Sequence, residues 1–376
     1  MRIAFVTAIL THYRVPFHER VRALLAERGH RYDLIMGRPQ GDQAAKRDAA
    51  ELPWATIVDN REIAIGGRSL LWQPVLKHVR GADLVIVGQE NKHLVNYLLQ
   101  LGRGRWFGKV ALFGHGRNFQ ARNPDSAGER WKRLWARQCD WWFGYTEQTK
   151  RHLLALGFPA ERITVFNNAV DTAALLALSS SVTEERLARR RREIGLEGSN
   201  VGIFVGSLYA DKRIEFLIAA AELVRAEVPD FELLIVGGGP DLDKTRALAA
   251  PHPWIHVLGP RFGADKVELM RIARLFLLPG AVGLAVLDAA VLGLPMITSD
   301  YAYHGPEIAY LEQGGTGMIV PDCQNERAYA DAVIALLRDP ARLAAMAQRA
   351  KRLSATHTID AMASRFAEGV LAALRA

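Results

Sequence analysis

"LLPGAVGLAVLDAAVLGLPMITSD", residues 277–300, is an apolar run that ends at Asp300 and carries one acid in its interior, Asp288, between two glycine-marked turns. Its flanks have the apolar, β-branched character of buried strands, and residues 284–292 read as a short helix of small side chains. Strand, helix and strand in so short a stretch is the unit of a parallel sheet covered on both faces. A helix that must lie close to such a sheet has little reason to keep a lone carboxylate. A glycine-rich loop at its start brings backbone N–H groups near whatever binds beyond the strand ends.

The same alternation runs outward in both directions. Toward the C-terminus lies "GMIVPD" (317–322). Toward the N-terminus lie "LFLLPG" (275–280), "IHVLGP" (255–260), "FELLIVGGG" (231–239) and "VGIFVGSL" (201–208). A first series precedes it: "RIAFVTA" (2–8), "YDLIMG" (32–37), "ADLVIVG" (82–88), "KVALFGH" (109–115), "WWFGYT" (141–146) and "ITVFNN" (163–168). Helical patterns separate many of these runs, and no strict internal repeat appears. The pattern predicts an α/β protein of two Rossmann-like parallel-sheet domains facing across a cleft, with ligands beyond the carboxyl ends of the strands. The expected boundaries are an N-terminal domain over 1–171, a linker over 172–200 and a C-terminal domain over 201–356. A final helix over 357–376 is expected to cross back to the first domain. The linker contains "TEERLARRRREIGLEGSN" (183–200), with five arginines between Arg186 and Arg192, and reads as a surface helix.

Composition narrows the function. At 376 residues and 49% hydrophobic content, two cores are affordable and wholesale disorder is excluded. No apolar stretch reaches the roughly 18 residues that a membrane-spanning helix needs. "MRIAFVTAILTHYRVPF" lacks a small-residue cleavage site and suits a first buried strand rather than a signal peptide. Cys139 and Cys323 have no CxxC context, which points to a reducing compartment and away from a structural zinc; the expectation is a cytoplasmic protein. Net charge is +8 but lopsided, with 26 Lys and Arg against 15 Asp and Glu in residues 1–170. A basic half meets an anionic partner or is simply a solvated arginine-rich surface. "ERWKRLWARQCDWW" (129–142) sets four tryptophans among cations, a pattern that fits either an interfacial helix or tryptophans turned inward.

Several strand ends carry polar chemistry. "VGSLYADKR" (205–213) puts Lys212 and Arg213 just before a helix, where cations and the helix dipole together suit a diphosphate. "IVGGGPD" (235–241) is either a phosphate cradle or a tight turn, and it lacks the G-x-G-x-x-G and Gly-Lys-Ser/Thr spacings. "FGHGRN" (113–118) places His115 beyond a strand, with Arg117 and Asn118 following; histidine is suited to hydrogen bonding or to proton handling near neutral pH. "THYRVPF" offers Arg14, and "GQENK" offers Glu90.

Together with "NNAVD" (167–171) and "VLGPR" (257–261), these pieces in this order resemble the GT-B-fold glycosyltransferases, glycosyltransferase family 4 above all, over nearly the whole chain. The resemblance implies a retaining transfer from a nucleotide diphosphate sugar to an acceptor hydroxyl, without an obligatory metal or cofactor, in polysaccharide, lipid-linked glycan or glycolipid assembly. It implies donor contacts from Ser207, Lys212, Arg213, Gly238, Arg261, Gly280, Val282, Gly283, Leu284 and Asp288. Acceptor contacts fall to Arg14, Glu90, Arg117 and Asn118, and catalytic roles to His115 and Lys212. A UDP-sugar is preferred over a GDP-sugar on family frequency alone. A peripheral contact with an anionic membrane is expected, and no nucleic-acid partner. Two departures stand out. Ser207 replaces the arginine of the usual Gly-Arg-Leu, with Arg213 a candidate replacement charge. Gly280 stands in the place of the first of two glutamates, leaving the backbone of 280–283, His304 or Glu307 to do its work. Those losses keep two alternatives open: a GT-B-like epimerase or phosphorylase, and a catalytically silent nucleotide-sugar-binding protein.

Overall fold

The computed structural model describes residues 1–39, 49–65, 68–117, 123 and 126–376. The chain forms two compact units: Met1–Asn168 together with Ile359–Ala376, and Ala169–Thr358. The expected strands form, and most end up to three residues sooner than expected because the glycines and polar residues at their carboxyl ends turn into loops.

In the first unit the strands are β1 (Arg2–Thr7), β2 (Arg31–Gly37), β3 (Thr56–Val58), β4 (Arg61–Ile65), β5 (Arg68–Trp72), β6 (Leu84–Gly88), β7 (Lys109–Gly114), β8 (Trp141–Gly144) and β9 (Ile163–Val165). Seven pair in parallel in the order β3-β2-β1-β6-β7-β8-β9, while β4 and β5 form a separate antiparallel pair. β3 and the β4–β5 pair went unpredicted because they are short and lack a continuous apolar run. The core is aromatic. Phe113 and Phe166 stack at 5.1 Å, and Phe366 of the C-terminal helix Ile359–Arg375 reaches Phe143 at 4.4 Å and Phe17 at 5.1 Å. Lys109 Nζ donates to the Ala373 and Leu374 carbonyls at the end of that helix, a cation where the helix dipole favours one.

In the second unit β10 (Asn200–Val205), β11 (Phe231–Val236), β12 (Ile255–Gly259), β13 (Leu275–Leu277), β14 (Met296–Ser299) and β15 (Gly317–Val320) form a parallel sheet ordered β12-β11-β10-β13-β14-β15. Both sheets reverse direction of growth once, at β1/β6 and at β10/β13, and such switch points are where open α/β sheets bind ligands. The quoted stretch supplies β13, the helix Ala285–Val291 and β14.

Residues 172–200 are not a free linker. They fold as helices Thr172–Ser181 and Glu184–Glu193 within the second unit. Arg190 Nε donates to Glu268 Oε2 at 2.9 Å, and Arg186 pairs with the same carboxylate, which is 1% exposed. Burial pushes the Glu268 carboxyl up, but the two guanidiniums outweigh it and hold the group ionised. The arginine run therefore neutralises a buried acid on the helix Gly263–Ile272.

Candidate active site

Two loops meet at the switch point of the second sheet. One follows β10 and carries Lys212; the other follows β13 and carries Gly280. They are joined in both directions: the Ala281 N–H donates to the Asp211 carbonyl at 2.8 Å, and Lys212 Nζ donates to the Ala281 carbonyl. A Cβ on Gly280 would overlap the Asp211 carbonyl oxygen and come within 2.7 Å of the Lys212 carbonyl carbon. No side chain fits there without moving backbone, which is a physical reason for glycine at this position.

Lys212 is the charged centre of the junction. Burial pulls its ammonium down to about 8 even though Asp211 opposes the shift. Its Nζ lies 5.5 Å from the Tyr209 ring centroid, and Tyr301 donates a 2.7 Å hydrogen bond to Asp211 Oδ1. A half-buried cation with a lowered pKa gains most from an anion that takes over its solvation. It also stands one residue from the start of the helix Ile214–Glu227, whose first N–H groups add positive potential.

Arg213 does not join it. Its backbone is left-handed, with φ 58°, rare for a bulky residue. Its guanidinium donates to the Cys323 carbonyl and to Gln324 Oε1 at 3.3 Å, and lies 4.3 Å from the Phe216 ring. It anchors the turn that presents Lys212 and is engaged away from Ser207, the position it was expected to compensate, which is exposed.

His304 is likewise engaged. Nε2 donates to the Ser299 carbonyl at 2.8 Å, leaving Nδ1 to accept the Val282 N–H at 3.0 Å. Burial, with Lys212 adding to it, lowers the His304 pKa and favours the neutral ring that this pairing requires. Val282 also accepts from the Gly305 N–H at 2.8 Å. The backbone of Val282 and the ring of His304 thus hold the loop in shape. Glu307 is 4% exposed, and its Oε2 would lie 2.8 Å from a Cβ on Gly305.

Asp288 lies in the first turn of the helix Ala285–Val291, half-buried, with Lys266 Nζ 3.0 Å from Oδ2. Lys266 escaped the sequence reading; its helix brings it there, and no motif marks it. One turn before Lys266 stands Phe262, 81% exposed beside the exposed Arg261 at the end of β12. The "GGG" loop after β11 has a packing role: a Cβ on Gly237 would collide with the Gly206 carbonyl oxygen, so the loops after β10 and β11 touch backbone to backbone. Gly238 has ordinary space, with Pro260 at 3.6 Å.

The first unit gathers a different set at its own switch point. Glu90 follows β6, His115 follows β7, and Lys132 comes from the helix Ala127–Ala136. Gln89 Nε2 ties the two loops by donating to the Gly116 carbonyl at 3.2 Å. Burial pushes Glu90 up, but His93, Lys92 and Lys132 outweigh this and lower its pKa. His115 packs edge-on against Tyr145 at 4.2 Å, and burial, then Lys132 and Arg14, push it down to about 3. It is a neutral imidazole at any ordinary pH, which of the two expected roles favours hydrogen bonding over proton handling near pH 7. Arg14 is buried, 5.3 Å over the Tyr145 ring with Nη1 3.8 Å from Met362 Sδ. It is a core cation bracing this corner rather than an open acceptor contact. Arg117 is exposed and its charge depresses His152. Asn118 lies outside the described residues.

Comparison with known proteins agrees with both units. Residues 19–174 match the family described as Glycosyltransferase Family 4, and residues 199–339 match Glycosyl transferases group 1. Over 180 residues the chain is 31% identical to the alpha-D-kanosaminyltransferase of Streptomyces kanamyceticus, covering 46% of this chain and 45% of that one. Over 196 residues it is 33% identical to the GDP-mannose-dependent alpha-(1-6)-phosphatidylinositol monomannoside mannosyltransferase of Mycolicibacterium smegmatis, covering 46% and 50%. The chain thus spans about half the length of these curated relatives. Among solved structures, Anabaena HepE in complex with UDP superposes with a TM-score of 0.73 at 14% identity, covering 99% of this chain and 100% of that one. At that identity the likeness shows the fold.

Proposed function

We infer that this chain, which carries a Glycosyltransferase Family 4 domain and a Glycosyl transferases group 1 domain on a GT-B fold, is a retaining glycosyltransferase. It moves a sugar from a nucleotide diphosphate sugar, a UDP-sugar in this reading, to an acceptor hydroxyl of a polysaccharide or lipid-linked glycan. The observation that carries the reading is Lys212: a half-buried, partly desolvated cation at the switch point, beside a helix N-terminus, facing the loop that opens at Gly280.

In this reading Lys212 and the helix Ile214–Glu227 take up the charge that grows on the departing diphosphate, without a metal. Asp288, exchanging part of its bond to Lys266, accepts from the ribose hydroxyls. Phe262 and Arg261 flank the base. Glu90, Lys132 and neutral His115 orient the acceptor. The test is nucleoside diphosphate release from a panel of UDP- and GDP-sugars, with and without acceptors and with and without EDTA, followed by product anomer assignment by NMR. Inversion at the anomeric carbon refutes retention, and loss of activity in EDTA refutes metal independence.

The closed space at Gly280 favours one second reading, a protein that binds nucleotide sugars without transferring them. Measurable UDP or GDP binding with no release from any donor would select it.

A further inference from the structure

A large cavity lies inside the second unit, at the far end of its sheet from the candidate donor loops. The helices Thr172–Ser181 and Pro340–Thr356 both pack on the helix Ala285–Val291 and leave between them a space of about 800 Å³. That volume is in the range of small-molecule sites. Every residue that lines it falls within Ala169–Thr358, so the second unit builds it alone. Arg274 stands in its wall just before β13, and Gly293 and Leu294 just before β14. The cavity therefore opens at the amino ends of two strands whose carboxyl ends lead to Gly280 and His304.

Its wall combines two chemistries. Val291, Leu294 and Leu343 are buried residues of the lining, and Leu176 joins them at 55% exposure. An exposed leucine at the mouth of a cavity is apolar surface that the body of a ligand would take out of water. Arg271, Arg274 and Lys351 supply cations, and no acidic residue is among those lining the space. Arg271 is already engaged: Nη1 donates to the Ser179 carbonyl at 3.0 Å, and Nη2 pairs with Glu184 at 3.0 Å. The other two lack an opposite charge. Arg274 gives Nη1 to the neutral amide oxygen of Asn200, and neither it nor Lys351 makes an ion pair among the described residues. Lys351 is held in place by its stem, whose Cε stands 2.5 Å from where a Cβ on Gly293 would be. Glycine at that turn, with φ 68°, leaves room for the lysine to lie along the cavity. Two uncompensated cations beside an apolar wall select an anionic head on an apolar body. A bare anion leaves Leu176 uncovered, and a neutral hydrocarbon leaves the guanidinium unanswered.

We propose that this cavity is a second ligand site, taking a small amphiphilic anion whose carboxylate or phosphate head meets Arg274 and Lys351 and whose short hydrocarbon body lies on Leu176, Leu294 and Leu343. It stands on these residues alone and is independent of the glycosyltransferase reading. The probe is anilinonaphthalene sulfonate, which carries both chemistries; its fluorescence should rise saturably with the full chain. Octanoate or octyl phosphate should displace it, and the stronger of the two names the head group. Octanol and inorganic phosphate at the same concentration should not displace it, and UDP should leave it bound. Ala347→Trp, which fills the cavity, and Lys351→Ala, which removes an exposed cation, should each weaken binding about tenfold. An unchanged melting temperature certifies the fold of each variant, and Leu176→Asn, at an exposed position, repeats the test should Ala347→Trp fail to fold. Absence of saturable binding overturns the proposal, as does displacement by octanol as strong as by octyl phosphate, or displacement by UDP. Undiminished affinity in both Lys351→Ala and Leu176→Asn overturns it too. A concentration-dependent dimer abolished by Leu176→Asn also overturns it, assigning the groove to a second copy.

Discussion

The two units share a strand order about their switch points yet arm them by opposite means. In the second unit the candidate site is made of close backbone: Gly280 against Asp211 and Lys212, and Gly237 against Gly206, with the half-buried cation of Lys212 set into the junction. In the first unit it is made of side chains from separate elements, with Glu90, His115, Lys132 and Arg14 acting on one another through charge. In the proposed reading, topology decides where ligands go, while the loop chemistry decides which end of the reaction each unit serves. A backbone-built site tolerates little change of shape; a charge-built site tolerates changes of shape better than changes of charge.

The sharpest way to break this contrast is a pair of substitutions. Gly280→Glu must displace the Asp211–Lys212 backbone and should destabilise the second unit by about 3 kcal/mol or more, seen as a lower melting temperature. Glu90→Gln should leave melting nearly unchanged and raise acceptor KM. Equal melting for wild type and Gly280→Glu would mean the loops part easily and the contrast is false.

Next in size, Lys212→Ala should reduce kcat/KM by about two to three powers of ten if its charge meets the leaving diphosphate in the transition state. An unchanged donor kcat/KM would remove Lys212 from the reaction.

The pH profile separates the units further. Lys212 titrates at about 8 in the free protein, and an anion bound to it raises that value. Nucleoside diphosphate affinity should then be flat from pH 6 to 7.5 and fall above 8, by up to about tenfold per unit, by calorimetry. The same depressed value means the unfolded chain holds this proton to higher pH. Lys212 therefore weakens folding below about 8, and that cost is relieved as pH rises from there toward 10.5. His115, at about 3, should contribute no acid limb to activity between pH 5 and 7. Such a limb vanishing in His115→Gln would contradict its burial.

The smallest expected effect belongs to Phe262→Ala. Loss of a stacking face should weaken nucleotide binding by about tenfold while leaving pyrophosphate binding unchanged. Equal loss for both ligands would place Phe262 in loop packing instead.

Much of this was legible in the sequence because periodicity and glycine placement are local. The buried strands follow from apolar β-branched runs, and the helix Ala285–Val291 from a run of small residues between them. Lys212, Asp288, Glu90 and His115 were legible as polar residues just beyond strand ends. Which of them face a partner was not. Arg213 and His304 are polar candidates of the same kind, yet Arg213 is taken up by Cys323, 110 residues away, and His304 by Val282, 22 residues away, and by nearby Ser299. Lys266 at Asp288 has no local signature at all.

Sequence alone determined two parallel α/β sheets and the strand ends that carry chemistry, because short-range steric preference and burial period decide those. Tertiary structure alone decided that Gly280 is closed to any side chain, that Lys212 is half-stripped of its proton affinity, and that His115 stays neutral. Those outcomes depend on which distant backbone and charges come into contact, and desolvation and Coulomb energy are set by that contact rather than by neighbours in sequence.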